Sequence, residues 1–296
     1  MAADLMDGKA IAEAIRAELK SEVDSLRERG VVPGLGVILV GDDPAWCSYV
    51  TAKERACESI GIYSDDKRLP ADTSEADLLK RVEAMNQDPQ IDGILVQLPL
   101  PKHMNESKIL LAIDPAKDVD GFHPMNVGKM MIGEETFFPC TPHGVVQMLM
   151  RSGVETSGKH VVVVGRSNIV GKPVANMLLQ KKAGANATVT LCHTGTEDLA
   201  GFTQQADILI VASGWPNMVT ESMVKPGAVV VDVGVNRVED ATKKSGYRLV
   251  GDVDFEGVSR VASKLTPVPG GVGPMTITML LYNTVESAKA RLMEEG

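Results

Sequence analysis

The clearest hydrophobic signal in the chain is the valine run at 161–164, which gives way within about five residues to apolar positions at helical spacing, Ile169, Val170, Val174, Met177 and Leu178. An unbroken β-branched run predicts a strand buried on both faces, central in a parallel sheet. Gly165 breaks the run, so a strand, a tight turn and a helix follow one another. Such a turn gathers backbone N–H groups at the positive end of a helix dipole, a seat for a dinucleotide phosphate. The usual glycine fingerprint is incomplete. Ser167 and Val170 occupy the second and third glycine places, and Gly171 comes one position late. On this segment alone, a strand and helix with no ligand is an open alternative.

The same alternation extends along the chain. Ile11, Ile15, Leu19, Val23 and Leu26 predict an opening helix that ends near Gly30, followed by a strand over 35–40. Asp43 can cap a second helix over 45–60, with Pro44 suited to its first position and Gly61 closing it. A strand at 62–69, a helix opened by Thr73 or Ser74 that reaches about residue 86, and an apolar strand at 93–98 come next. Pro99 and Pro101 end that strand, a short helix covers 105–112, and residues 113–129 read as an ordered loop. A helix over 142–150 leads to strands at 161–164, 187–191, 207–211 and 228–233, and a last helix covers 275–293. KKAGANA and EDATKKSG read as surface excursions, and there is no internal repeat. This rhythm predicts an α/β fold of two domains with a cleft between them. One is an N-terminal α/β domain of residues 1–142 joined by 275–296; the other is a Rossmann-type parallel-sheet domain over 143–274.

Composition narrows the class. With 296 residues and 44% hydrophobic content the chain can bury two ordinary cores. Its 30 basic and 39 acidic residues, a net charge of −9, argue against nucleic acid or an anionic membrane as the main partner. The opening MAADLMDGKAIAEAI lacks the pattern of a leader or transit peptide and no apolar run reaches membrane-spanning length, so a cytoplasmic location is expected. Cys47, Cys57, Cys140 and Cys192 form no C-x-x-C pair and fit reduced thiols, and the five histidines lack metal-ligand spacing. No structural metal is expected.

Several constellations could carry chemistry. Tyr49 and Lys53 stand four apart on the second helix and share a face. A lysine in a partly closed cleft can hold a carbonyl or move a proton, because desolvation lowers its pKa, although a snorkelling lysine beside a half-buried tyrosine has the same spacing. Gln97, in VQLPLP, falls near the carboxyl end of a buried strand, where ligands collect; it could orient the lysine or merely satisfy loop backbone. Asp118 and Asp120 alternate before Gly121, a pattern that suits Asx turns, or one buried carboxylate accepting paired N–H bonds from an amino-pyrimidine. TPVPGGVGPMT, 266–276, combines prolines that stiffen with glycines that admit a flat ligand.

The end of the second dinucleotide-domain strand bears on cofactor choice. An NAD site usually places an acid there for the ribose 2′-hydroxyl. This chain has Cys192, His193 and Thr194 instead, and a 2′-phosphate could meet Thr194, His193 and Arg166, which favours NADP.

Taken in order, YVTAK, VQLPLP, DVDGF, PCTP, VVVVGRSNIVGKP and TPVPGGVGPMT resemble the bifunctional methylenetetrahydrofolate dehydrogenase/methenyltetrahydrofolate cyclohydrolase family over nearly the whole chain. The resemblance implies an N-terminal catalytic, folate-binding domain and an NADP domain. It also implies oxidation of 5,10-methylenetetrahydrofolate, hydrolysis of the methenyl product to 10-formyltetrahydrofolate in one cleft, and a homodimer. By the same resemblance Lys53 is the main catalytic residue, Tyr49 stacks on the folate, Gln97 tunes Lys53 and Asp120 holds the pterin. Val96, Leu98, Pro267, Val268, Pro269, Gly270 and Gly271 match substrate-binding positions, and Thr141 matches the domain junction. Gly165, Arg166, Ser167, His193, Thr194 and Val235 match the cofactor site, with Thr194 where many relatives carry serine. The competing readings are a shikimate-type NADP dehydrogenase and a non-catalytic NADP sensor.

Overall fold

The computed structural model describes residues 2–243 and 246–294. In chain order its elements are β1 (Asp4–Leu5), α1 (Gly8–Glu28), β2 (Gly34–Val40), α2 (Pro44–Ile60), β3 (Tyr63–Leu69), α3 (Glu75–Gln87), β4 (Gly93–Val96), α4 (Glu106–Ala112), α5 (Pro124–Ile132) and α6 (Cys140–Arg151). They continue with β5 (His160–Val164), α7 (Gly171–Leu179), β6 (Thr188–Cys192), α8 (Leu199–Thr203), β7 (Ile208–Val211), β8 (Val229–Asp232), β9 (Asn236–Glu239), β10 (Tyr247–Val250), α9 (Phe255–Val258), β11 (Lys264–Leu265) and α10 (Val272–Glu294). The chain divides into two units, Glu13–Cys140 with Ile277–Gly296 and Met1–Ala12 with Thr141–Thr276.

The first of these units holds a three-stranded parallel sheet in the order β3-β2-β4, with Ile38 opposite Val96 and Leu35 opposite Gly93. Every residue of central β2 is buried, whereas edge strand β3 carries the polar sequence YSDDKRL. Ile38, Val82, Ile94 and Ile109 belong to one core, so the apolar periods of α3 and α4 close over this sheet. Ser74 and Asn105 cap those helices by accepting from Asp77 N and Lys108 N, each at 3.1 Å. The later part of α10 joins the unit through Asn283, which donates to Val119 O at 2.8 Å, and Ser287, which donates to Asp92 O at 2.7 Å.

The other unit is a six-stranded sheet in the order β1-β11-β8-β7-β5-β6, parallel throughout. The valines of β5 are buried because β6 and β7 flank them on either side and the sheet's faces are covered. Val162, Leu209, Val230 and Leu265 meet in its core.

Three sequence expectations are corrected and a fourth is extended. Residues 1–12 belong with the six-stranded unit rather than with the N-terminal domain, because Asp4 and Leu5 pair with Lys264 and Leu265. A two-residue strand has no period to read. Residues 113–129 are not all loop: α5 begins at Pro124, where the His123 ring accepts from Met125 N at 3.1 Å and Pro124 starts the helix. The excursion at 239–246 joins two antiparallel strands, β9 and β10, and its residues 244 and 245 lie outside the described residues. Finally, α10 starts at Val272 inside the supposed rigid loop, since Pro274 falls in its first turn, where a missing N–H costs nothing.

Candidate active site

In the three-stranded unit, α2 and the end of β4 bring Tyr49, Lys53 and Gln97 together. The four-residue spacing places the Lys53 ammonium 4.6 Å from the centre of the Tyr49 ring. Lys53 is only 4% exposed, and its Nζ donates to Gln97 Oε1 at 3.0 Å. Gln97 has a fixed orientation: its backbone N–H donates to Ile38 O at 2.8 Å and its Nε2 donates to Leu98 O at 2.8 Å. Its carbonyl oxygen is therefore left for the lysine. Burial pulls the Lys53 pKa down, and the Asp120 carboxylate opposes that pull.

The two aspartates of KDVDG have separate surroundings. Asp118 is buried and accepts from His123 N and Asn126 Nδ2, both at 2.8 Å, so it shapes the turn before α5. Its burial raises its pKa to about 6. Half-buried Asp120 lies in the field of Lys53 and close to the Cys140 thiol; burial raises its pKa and the lysine lowers it. Cys140 also lies 3.4 Å from Val119 O, and burial holds its thiol well above the usual range, hence protonated. By sequence Cys140 is a reduced thiol within PCTP; its interaction with Asp120 joins residues too far apart to leave a local signal. The Val96 side chain packs in the core and Leu98 packs against that core, so what these two residues leave available is mainly backbone.

In the six-stranded unit, the turn after β5 is built on two close approaches. Gly165 has φ +123°, and a Cβ there would stand 2.1 Å from Ala212 O; a Cβ on Gly171 would stand 2.0 Å from Gly165 O. The late glycine thus fills the role of the fingerprint's third, letting helix and strand approach. Ser167 Oγ accepts from Val170 N at 3.1 Å and Gly171 N at 3.3 Å, capping α7. Arg166 is exposed after β5, and half-buried His193 and exposed Thr194 follow the adjacent strand β6, with Val164 opposite Cys192 in register. His193 Nδ1 accepts from Gly195 N at 3.0 Å, so the other ring nitrogen, Nε2, is the one left for a ligand. Val235 is 60% exposed after β8. Glycines admitting close backbone approach and the absence of an acid at the end of β6 fit a dinucleotide that carries a 2′-phosphate.

The segment 266–271 lies in this same unit. Thr266 Oγ1 accepts from Asp232 N at 2.7 Å, Gly270 has φ +108°, and Gly271 O is so near Gly8 that a Cβ on Gly8 would fall 1.8 Å from it. Pro267 and Val268 are half-buried and Pro269 is exposed. Thr141 shares a 2.9 Å hydrogen bond with Thr276. Among the described residues no group of three or more His, Cys, Asp or Glu side chains is gathered as metal ligands, and no helix is long and apolar enough to cross a membrane.

Two family models match the chain, the tetrahydrofolate dehydrogenase/cyclohydrolase catalytic domain over residues 6–120 and the NAD(P)-binding domain of the same name over residues 139–292. The chain belongs to this family. Among its relatives, the bifunctional protein FolD of Syntrophus aciditrophicus is 61% identical over 289 residues, 98% of each chain. The crystal structure of the bifunctional dehydrogenase/cyclohydrolase FolD from Campylobacter jejuni superposes with a TM-score of 0.92 at 50% identity, covering 98% of this chain and 100% of that one. The FolD of Trypanosoma brucei, solved with NADP cofactor and an inhibitor, gives a TM-score of 0.93 at 41% identity over 99% of both chains. Family membership on this scale does not favour the shikimate-type reading.

Proposed function

We infer that the chain oxidises 5,10-methylenetetrahydrofolate with NADP and hydrolyses the 5,10-methenyl product to 10-formyltetrahydrofolate. The observation that carries the reading at residue level is the buried Lys53 ammonium, fixed by the Gln97 oxygen and coupled to Asp120. Such an amine is costly to bury and has no packing purpose that methionine would not serve better. Family membership sets the chemistry to which it is applied.

In the oxidation the methylene carbon lies between two nitrogens whose lone pairs favour loss of hydride, so the protein's task is placement. Tyr49 offers a ring face to the folate, and Asp120 accepts paired N–H bonds from the pterin. Gly165, Ser167 and Gly171 form the phosphate seat, while Arg166, His193 and Thr194 read the 2′-phosphate. Thr141 and Val235 complete the cofactor side. NADP, when bound, supplies the hydride acceptor. The backbone at Val96 and Leu98, with Pro267, Val268, Pro269, Gly270 and Gly271, contacts the substrate.

In the hydrolysis, water adds to the methenyl carbon. Lys53 Nζ, neutral for part of the cycle because it is desolvated, accepts one proton of that water and returns it to the ring nitrogen as the carbon–nitrogen bond opens, while the remaining hydroxyl proton leaves to solvent and the formyl C=O forms. Gln97 keeps the amine aimed at the reacting carbon throughout.

The decisive assay mixes the protein with 5,10-methylenetetrahydrofolate and NADP and follows NADPH and 10-formyl product separately. Binding of NADP with no NADPH formed would return the sensor reading. The same reading expects a homodimer in the cytoplasm, and light scattering on the purified protein tests the dimer.

A further inference from the structure

Two carboxylates at the carboxyl ends of the six-stranded sheet are fully buried, and the chemistry above uses neither. Asp252, between β10 and α9, has no exposed surface, and Asp232 ends β8. Asp252 Oδ2 accepts from Ser213 N at 2.6 Å and Gly214 N at 2.8 Å, the backbone that follows β7. Its Oδ1 accepts at 2.8 Å from Nδ2 of Asn236, the residue next to Val235. Its backbone N–H donates to Asp232 Oδ1 at 3.0 Å. One side chain therefore ties the loop after β7 to the turn after β8.

Both tied segments adjoin the proposed dinucleotide seat. The loop after β7 begins at Ala212, whose carbonyl is the atom a Cβ on Gly165 would strike and whose N–H donates to Val164 O at 2.8 Å. The turn after β8 presents Val235, and a Cβ on Gly234 would lie 2.1 Å from Asp252 Oδ1, so the backbone there is pressed against the carboxylate. Ligands of parallel sheets sit at these strand ends. A buried carboxylate held by N–H donors is expensive, and a neutral side chain could fill the space without desolvating a charge. What the charge adds is a rigid, fully satisfied anchor for three donors from two loops.

We propose that Asp252 is a positioning residue for the dinucleotide, fixing the backbone at 213–214 and 234–236 that flanks the glycine turn, and so setting affinity for NADP and NAD alike. The proposal rests on the dinucleotide seat inferred above.

The test is titration of NADPH and NADH, by their fluorescence, into the wild-type protein, Asp252→Ala, Asp252→Asn and Asn236→Ala, with thermal melts and steady-state dehydrogenase kinetics on the same samples. Asp252→Ala should weaken both dinucleotides by the same factor, roughly tenfold, as expected when charge-assisted bonds are lost. The effect should appear in KM for NADP rather than in kcat. Asp252→Asn keeps an acceptor for Ser213 and Gly214, and Asn236 can turn its own oxygen towards it, so affinity should stay within about threefold. Asn236→Ala cuts the tie from its half-buried end and should weaken both dinucleotides about threefold, which decides the question if Asp252→Ala does not fold. Wild-type affinity in folded Asp252→Ala or in Asn236→Ala, or a loss confined to NADPH, overturns the positioning role alone. A wild-type protein that binds neither dinucleotide overturns the seat itself, and the proposal with it.

Discussion

Lys53 Nζ donates to Gln97 Oε1 at 3.0 Å, and because Gln97 Nε2 is held by the next residue's carbonyl the amide cannot turn to present its NH2 to the lysine. The pair is a donor and an acceptor locked in register. On this basis Lys53→Met should reduce cyclohydrolase turnover by at least about a hundredfold, the usual worth of a positioned acid–base group, while folate affinity changes only a few-fold. Single-turnover hydrolysis of 5,10-methenyltetrahydrofolate and equilibrium folate titration measure the two separately. Unchanged hydrolysis in the variant would remove Lys53 from the chemistry.

The same burial has a consequence for stability. Desolvation depresses the folded-state pKa of Lys53 below its ordinary value. Between the folded and unfolded values the unfolded chain binds more protons, so stability rises with pH across that window. The contribution is fully present above the unfolded pKa and is lost as pH falls through the folded one. Lys53→Met should therefore be more stable than wild type at neutral pH, with the advantage shrinking as pH approaches about 10.4. Urea midpoints at neutral and alkaline pH check this; an advantage independent of pH would mean that packing, not charge, sets it.

Arg166 is exposed in the turn after β5, and β5 pairs with β6, after which His193 and Thr194 follow. Arg166→Ala should raise KM for NADP roughly tenfold through loss of a charge-assisted contact, with a much smaller effect on KM for NAD. Equal changes for the two cofactors would show that Arg166 does not read the 2′-phosphate.

Gly171 and Gly128 make a matched pair for the role of close approach. A Cβ at 171 would meet Gly165 O at 2.0 Å, whereas one at 128, in α5, would meet nothing within 4 Å. Gly171→Ala should destabilise its unit by about 1–3 kcal/mol and weaken NADPH binding as the turn is forced open. Gly128→Ala should stabilise by about 0.5–1 kcal/mol, the helix-propensity gain. Denaturant midpoints of the two variants moving in the same direction would contradict the argument.

Local patterns carried much of this architecture. The valine run placed β5, the apolar periods placed α1, α2 and α3, and the spacing of Tyr49 and Lys53 put the ammonium against the ring. What stayed hidden depends on contacts distant in sequence. Cys140 reaches Asp120 only through the fold, and Asp252 meets Ser213 across 39 positions. In α5 the start signal, His123 and Pro124, was present but sat inside a stretch rich in turn formers. The hairpin of β9 and β10 was hidden by the polar excursion at its tip, and edge strand β3 was readable mainly by its neighbours, since its residues alternate little.

The pairing of Asp4 and Leu5 with β11 bears on handling the protein. Trimming the opening residues would uncover a row of unpaired amides and carbonyls along β11, the kind of margin on which separate chains zip together into aggregates. A stretch too short to show any period thus acts as a selvedge, and an affinity tag is better carried at the other terminus.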